Sequence, residues 1–211
     1  MAAPVIRQSG KKKVCIICEG YEEKEYLERL QSFGAWLGRY YDVDLINAKS
    51  ISNIAPRYQS IYMNENYDVV LVLCDTDTAP YDGYNTMKQK INMFHGIDGA
   101  ASMVVFFANP CVLQIVLLHL DDIRLTSNQK SKNNKHIEEL TGIKHYQAHE
   151  EQRAALMARI TKQNFKEMIK RVKLLSDQDN VKNSTNFLKL LDYLNSESTK
   201  WIDKINKVLE G

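Results

Sequence analysis

The chain has 211 residues, of which 28 are Lys or Arg and 26 are Asp or Glu, so its formal net charge is only +2. Hydrophobic residues make up 44% and charged residues 26%, the composition of a globular domain rather than of a disordered chain. No stretch has the ~18 consecutive apolar residues of a membrane span, and residues 1–13 lack the apolar core of a signal peptide. We therefore expect a soluble, cytoplasmic protein with no membrane partner.

Short apolar runs and helical periodicity alternate along the first 120 residues. The apolar runs predict β-strands at residues 14–18, 41–46, 69–74 and 103–107. The periodicity predicts helices at residues 22–36, 51–63, 86–94 and 112–120. Strands that are apolar throughout and alternate with helices are typical of a parallel sheet covered on both faces. The predicted fold class is therefore α/β, with a mostly parallel sheet of about four strands.

The character of the chain changes after Leu120. Residues 126–135 are rich in Ser, Asn and Lys and predict a loop, whereas residues 149–175 and 183–209 predict helices. We expect a basic N-terminal arm at residues 1–13, an α/β core at 14–125 and a helical C-terminal extension at 126–211 that packs on the core.

The four cysteines lie in or beside apolar runs, which favours buried, reduced thiols over disulfides or a zinc site.

Charge is unevenly distributed along the chain. Residues 19–82 contain 12 acidic and 5 basic side chains, whereas residues 124–173 contain 12 basic and 5 acidic ones. This division suits a cation site beside a surface for a polyanion, but two solvated helical surfaces would give the same counts. The basic residues that recur at helical spacing and could contact a phosphate backbone are Lys162, Lys166, Lys170, Arg171 and Lys173.

Acidic residues follow two of the predicted strands. Glu19 comes directly after residues 14–18, and Asp75 and Asp77 come after residues 69–74. Ligands of an open parallel sheet bind beyond the carboxyl ends of its strands, and carboxylates that converge there repel one another unless a cation is bound. Each residue alone could instead cap a helix or form a turn. Together they predict an oxygen-ligand site for Mg²⁺ or Mn²⁺.

Three strings in the predicted core resemble those of a known family. Residues 18–27 read CEGYEEKEYL, residues 71–77 read LVLCDTD, and residues 107–120 read FANPCVLQIVLLHL. In order and content they are similar to the RloB-like class of Toprim-domain proteins. The resemblance implies a Toprim-like fold and a metal-dependent nuclease that cuts DNA or RNA, in some cases tRNA. It also implies a role in bacterial defence against phage beside an ATPase protein partner. This chain has no ATP-binding loop motif of its own, so any ATP-driven step would have to come from another protein.

The resemblance assigns catalytic and metal-binding roles to four carboxylates. Glu19 would hold the metal or act as general acid or base. Asp75 and Asp77 would complete the catalytic group and hold the divalent ion. Glu23 corresponds to the acidic position on the first helix and would join the metal site.

Other motif positions would support the site or depart from the family pattern. Gly20, Asn109 and His119 match supporting positions, although His119 could equally be a core histidine. Glu22 stands where similar proteins usually carry Ser or Thr, and Gln114 stands where they usually carry Glu. The second departure leaves open a weaker second metal position or a changed substrate.

Two alternatives from other functional classes remain open. Residues 70–78 read VLVLCDTDT, which also suits a haloacid-dehalogenase-like phosphatase with Asp75 as nucleophile, Asp77 as acid or base, and Asp121 and Asp122 as a distal acidic pair. That motif normally opens its fold, whereas here two strand–helix units precede it. The other alternative is a non-catalytic module on a Toprim scaffold that binds nucleic acid or a partner protein.

The predicted loop at residues 78–84 follows the aspartate pair directly. It contains Tyr81, Asp82 and Tyr84, and aromatic side chains can stack on nucleic-acid bases. We therefore expect this loop to border the scissile phosphate.

Overall fold

The computed structural model describes residues 10–64 and 66–211. The strands are β1 (Lys12–Cys18), β2 (Tyr41–Asn47), β3 (Val69–Asp75) and β4 (Val105–Ala108). The helices between them are α1 (Tyr21–Ser32), α2 (Ile51–Met63), α3 (Asp82–His95) and α4 (Ala100–Val104). The helices after β4 are α5 (Leu113–Leu117), α6 (Lys130–Thr141), α7 (Glu150–Met157), α8 (Lys162–Val172), α9 (Phe187–Leu194) and α10 (Lys200–Leu209).

The four strands form one sheet in the order β2-β1-β3-β4, and every neighbouring pair is parallel. The central pair, β1 and β3, is aligned with Val14 opposite Val69 and Cys18 opposite Leu73. Residues 14–18 and 69–74 are buried without alternation, because helices cover both faces of a parallel sheet. The predicted α/β class with a parallel four-stranded sheet is confirmed.

The direction of each crossover places the helices on the two faces. The chain passes through α1 from β1 out to β2, and then returns through α2 past β1 to β3. Right-handed crossovers in opposite directions put α1 and α2 on opposite faces of the sheet. The observed neighbours agree, since α2 packs against α3 and β3, whereas α1 packs against β1, β2 and α7.

Within the core, the predicted elements are present but some of their ends differ. The prediction for α2 matches the observed bounds, whereas α1 ends at Ser32 rather than at residue 36. Gly34 has a φ of 73°, a left-handed conformation that glycine adopts without strain and that turns the chain away from the helix. The predicted fourth strand starts at residue 103, two residues before the observed β4, because Met103 and Val104 belong to α4.

The extension contains more helices than the sequence predicts. Residues 126–135 are not a loop throughout, because α6 begins at Lys130 and buries Asn133 and Ile137. Residues 149–175 form two helices because Thr161 starts a new one: its Oγ1 accepts a hydrogen bond from the Asn164 N–H (3.3 Å). The helix predicted at residues 183–209 is likewise divided into α9 and α10.

The basic N-terminal arm is described only in part. Residues 1–9 lie outside the described residues, and Lys12 and Lys13 belong to β1 rather than to an arm. Lys12 pairs with Tyr41 in the sheet register, and its Nζ lies 2.8 Å from Asp68 Oδ1. Backbone pairing therefore extends the strand into the lysine cluster. Within the described part of the chain, no helix is long and apolar enough to cross a membrane.

The extension contacts the sheet through side chains that bind backbone or core groups. Asn186 lies beside the edge strand β4, where its Oδ1 accepts from the Phe107 N–H (2.8 Å) and its Nδ2 donates to the Val105 carbonyl (3.1 Å). At the other edge, the Trp201 indole N–H donates to the hydroxyl of Tyr41 in β2 (2.9 Å). Asn186 thus satisfies backbone groups that an edge strand would otherwise expose to pairing with other chains.

We expect Asn186→Ala to lower the free energy of unfolding by about 1–3 kcal/mol, because it removes two hydrogen bonds to the backbone of β4. Urea denaturation followed by circular dichroism measures this. Asn180→Ala is the matched control, since Asn180 is an exposed residue of the same region. Equal stability of the two variants would contradict the structural role of Asn186.

Candidate functional site

The carboxyl ends of β1 and β3 bring Glu19 and Asp75 together. Glu19 follows β1, and its N–H donates to the Leu73 carbonyl of β3 (3.1 Å), which continues the pairing of the two strands by one residue. Its side chain turns toward β3, where Oε2 accepts from the Asp75 N–H (3.1 Å). These two strand-end residues therefore share one edge of the sheet, as the sequence predicts.

Glu23 joins them from the first turn of α1. Its side chain is buried, and its Oε2 accepts from the Gly20 N–H (2.7 Å), which closes the start of the helix. A Cβ atom at position 20 would lie only 3.2 Å from the same Oε2. A side chain at position 20 would therefore crowd the Glu23 carboxylate, while the backbone there is ordinary extended chain.

Glu22 approaches the same carboxylates and was missed as a site residue. Its charge contributes to raising the pKa of both Glu23 and Asp75. We call Glu19, Glu22, Glu23 and Asp75 the acidic cluster. The sequence marks Glu22 only as a departure from the family pattern, and a departure does not reveal which way the side chain points.

Burial and mutual repulsion dominate the electrostatics of the acidic cluster. The pKa of Asp75 is raised well above its ordinary value by burial and by the charges of Glu23 and Glu19. Burial and the neighbouring Glu23 raise the pKa of Glu19 to about 8, with a smaller contribution from Asp77. Burial also raises the pKa of Glu23. Such shifts are typical of carboxylates that lack a counter-charge, and they occur preferentially at functional sites.

Asp77 lies near the acidic cluster, but its side chain has a different partner. The residue has a φ of 61°, and its Oδ1 accepts from Asn128 Nδ2 (2.6 Å). Asn128 precedes α6 in the segment that the sequence predicts as a loop. The structure therefore brings Glu19, Glu23 and Asp75 together, with Asp77 beside them and bound to the extension.

The donor set of the acidic cluster fits a divalent cation, although its side chains are not converged on one. Within the described residues, no three His, Cys, Asp or Glu side chains form a ready metal-ligand group. One oxygen on each of three carboxylates accepts from a backbone N–H instead: Glu19 from Asp75, Glu23 from Gly20, and Asp75 from Val112 (2.8 Å). Carboxylate oxygens are the ligands that Mg²⁺ and Mn²⁺ prefer, and a bound cation would relieve the repulsion between these carboxylates.

Two predicted supporting residues lie outside the acidic cluster. His119 is buried between Tyr26, whose hydroxyl lies 3.0 Å from Nε2, and Asn164, whose Oδ1 lies 3.1 Å from Nδ1. Burial lowers the pKa of His119 to about 4, so the ring is neutral at physiological pH. Asn109 is also buried, and its Nδ2 donates to the Asp179 carbonyl (3.3 Å). These contacts are those of packed core residues.

Gln114 occupies the position where the resemblance leads us to expect Glu. It is fully buried, its Nε2 donates to the Ile123 carbonyl (2.8 Å), and its Oε1 accepts from the Leu125 N–H (2.7 Å). An amide can satisfy a carbonyl and an N–H together, whereas a carboxylate can only accept. Gln114 thus holds the chain after α5.

The predicted loop at residues 78–84 is less available to nucleic acid than we expected. Tyr84 is buried, with its ring edge-on to Phe107 and its hydroxyl donating to Asp179 Oδ2 (3.0 Å). It therefore cannot stack on a base without leaving the core.

Asp121 and Asp122, the acidic pair of the phosphatase alternative, are exposed and follow a helix rather than a strand.

The five basic residues predicted to contact nucleic acid all lie on or next to α8. Lys162, Lys166, Lys170 and Lys173 are exposed there. Arg171 differs, because its Nη1 donates to the Leu118 carbonyl (2.7 Å) and the side chain is half-buried. The four lysines can contact a polyanion, whereas Arg171 joins α8 to the core.

Two cavities in the described residues lie away from the acidic cluster. One, of about 480 Å³, is lined by residues that include Tyr84, Lys88 and Asn186. Another, of about 580 Å³, lies where β3 begins and includes Tyr62 and Phe94. Neither includes a carboxylate of the acidic cluster, which is therefore a feature of the sheet edge rather than part of either cavity.

We expect Glu19 to make the metal-free protein less stable as the pH rises. The pKa of Glu19 is raised in the fold from its ordinary 4.5 to about 8, so its contribution to stability is fully present below pH 4.5 and is lost as the pH rises through 8. Between about pH 6 and pH 9, the free energy of unfolding of the wild type should fall by roughly 2 kcal/mol more than that of Glu19→Gln. Urea denaturation in EDTA measures this.

Glu139→Gln is the control for this pH dependence, because Glu139 is an exposed carboxylate on α6. It should keep the pH dependence of the wild type. If Glu19→Gln also kept the pH dependence of the wild type, the inference that the fold raises the pKa of Glu19 would be wrong.

Comparison with known proteins identifies no relative of this chain. No family model, no curated protein and no solved structure matches it. The resemblance to RloB-like Toprim proteins therefore depends on the three sequence strings, and function must be argued from the acidic cluster and its surroundings.

Proposed function

We propose that this protein is a metal-dependent nuclease that hydrolyses phosphodiester bonds in DNA or RNA, with Mg²⁺ or Mn²⁺ as cofactor. The observation that carries the proposal is that Glu19, Glu23 and Asp75 lie as near neighbours at one edge of a parallel sheet, where burial and their mutual repulsion raise their pKa values. Such a site favours a cation, and ligands of α/β sheets bind at this edge. The three sequence strings support the same function.

The chain's own residues would divide the work at the site. Asp75, Glu19 and Glu23, with Asp77 beside them, would hold the ion. A bound divalent ion supplies charge stabilisation at the scissile phosphate and lowers the pKa of a bound water. Glu19 would either hold the ion or transfer a proton, and in the second role the burial that raises its pKa makes it suited to act as general acid or base. Its Oε2 is bound to the Asp75 N–H, so Oε1 is the oxygen available to a proton.

We expect metal-dependent cleavage of plasmid DNA, single-stranded DNA or tRNA that is abolished by EDTA. Asp75→Asn and Glu19→Gln should each lower the rate at least about 100-fold, because each removes a charge from the ion site. Gel electrophoresis of the cleaved panel measures this. Asp192→Asn is the matched control, since Asp192 is an exposed carboxylate of α9.

Each other outcome points to a different class of protein. Hydrolysis of p-nitrophenyl phosphate without cleavage of nucleic acid would favour the haloacid-dehalogenase-like phosphatase. Binding of Mn²⁺ without either reaction would favour a non-catalytic module or an enzyme that requires its partner. Cleavage that survives both Asp75→Asn and Glu19→Gln would contradict the proposed site.

The exposed lysines of α8 are the proposed contact for the nucleic-acid backbone. Replacing Lys162, Lys166, Lys170 and Lys173 by Gln should weaken binding and reduce the slope of log affinity against log salt by about 3, because fewer counterions are released. Fluorescence anisotropy at several salt concentrations measures this. Lys200, Lys204 and Lys207 on α10 provide a control set, and an equal loss in both sets would indicate a general charge effect.

The biological setting in the proposal follows from the resemblance. RloB-like proteins are associated with bacterial defence against phage, often beside an ATPase, and we propose the same setting and a cytoplasmic location here. Co-purification of the chain with an ATPase from its own host, dependent on ATP, would test the partnership.

A further inference from the structure

The first residue of α6 brings a positive charge to the acidic cluster. Lys130 Nζ forms an ion pair with Glu22 Oε2, and both side chains are mostly shielded from solvent. The other oxygen of Glu22, Oε1, accepts from the Tyr146 hydroxyl (2.8 Å). Glu22 is therefore held on both oxygens by the extension.

Lys130 acts on more than its direct partner. Its charge lowers the pKa of Glu19 against the effect of burial, and Asp75 in turn stabilises the charged form of Lys130. Other cations near α1 are engaged elsewhere: Lys24 Nζ lies 2.5 Å from Glu28, and Arg153 Nη2 lies 2.8 Å from Glu25. Lys130, by contrast, is paired with Glu22, a member of the acidic cluster.

The residues just before α6 make a second contact of the same kind. Asn128 donates from Nδ2 to Asp77 Oδ1, one of the proposed ligands of the ion. Residues 128–130 therefore contact the core through two acidic side chains, Glu22 and Asp77. A divalent cation among these carboxylates would attract the oxygen that Asn128 uses and would repel the ammonium group of Lys130.

We propose that Lys130 is the internal counter-cation of the acidic cluster and competes with a divalent cation for it, so that cation binding releases residues 128–130 from Glu22 and Asp77. This inference rests on the proposed function, because it assumes that the carboxylates bind a divalent ion. Under this proposal, the extension regulates cation binding at the acidic cluster through residues 128–130. Residues 128–130 are held in place while the ion is absent and become free to move when it is bound.

If Lys130 competes with a divalent cation for the carboxylates, removing its charge should strengthen cation binding, which a purely structural role of Lys130 would not predict. Lys130→Gln removes the competing charge, so it should bind Mn²⁺ about tenfold more tightly than the wild type, even though it loses an ion pair. Lys130→Arg keeps the charge and should bind Mn²⁺ as the wild type does. Lys135→Gln is the matched control, because Lys135 lies on the same helix but is exposed and faces Glu139.

Isothermal titration with Mn²⁺ at about pH 8 measures these affinities, and thermal unfolding checks that each variant is folded. Equal or weaker binding by a folded Lys130→Gln would overturn the competition, while binding by the wild type would leave the proposed metal site intact. Absence of Mn²⁺ binding by all four proteins would overturn the metal site and the competition together.

Hydrogen exchange of the wild type tests the released segment without any substitution. Saturating Mn²⁺ should speed amide exchange of residues 128–133 at least about threefold, whereas β1 and β3 should exchange no faster. Slower or unchanged exchange at residues 128–133 in protein that binds Mn²⁺ would overturn the release. This measurement tests the release of residues 128–130 even if Lys130→Gln fails to fold.

Discussion

The parallel pairing of β1 with β3 is the constraint on which the rest of the structure depends. These two strands are the centre of the sheet, and their register places Cys18 opposite Leu73. Glu19 continues this pairing by one residue, so its carboxylate meets the Asp75 N–H at the end of β3. Two acidic groups that are 56 residues apart in sequence are therefore neighbours because of backbone hydrogen bonding, and not because of any attraction between them.

That arrangement has an electrostatic cost, which the surrounding residues only partly offset. Backbone N–H groups satisfy one oxygen on each of three carboxylates, but burial and mutual repulsion still raise the pKa values of Glu19, Glu23 and Asp75. The extension provides one counter-charge, Lys130, on Glu22. Uncompensated carboxylates beside a single lysine are groups that a further cation would stabilise.

The predictable parts of the fold are those whose signals are local. The buried strands follow from continuous apolar runs, and the bounds of α2 follow from its periodicity. The extension was predicted less well, because the start of α6 is polar in sequence and depends on tertiary contacts such as the ion pair between Lys130 and Glu22. Similarly, the helical spacing of the basic residues does not reveal that Arg171 is engaged by the core. Its hydrogen bond to the Leu118 carbonyl shows this.

The sequence by itself determined the α/β class and the strand ends that carry Glu19 and Asp75, whereas Glu23 was expected at the site only from the family resemblance. It could do so because strand burial and strand ends depend on residues that are adjacent in the chain. Only the tertiary structure decided that Asp77 turns to Asn128, that His119 and Tyr84 are packed in the core, and that Lys130 and Tyr146 hold Glu22. Each of these contacts joins residues more than 50 positions apart, where side-chain direction depends on how the helices pack and not on local sequence.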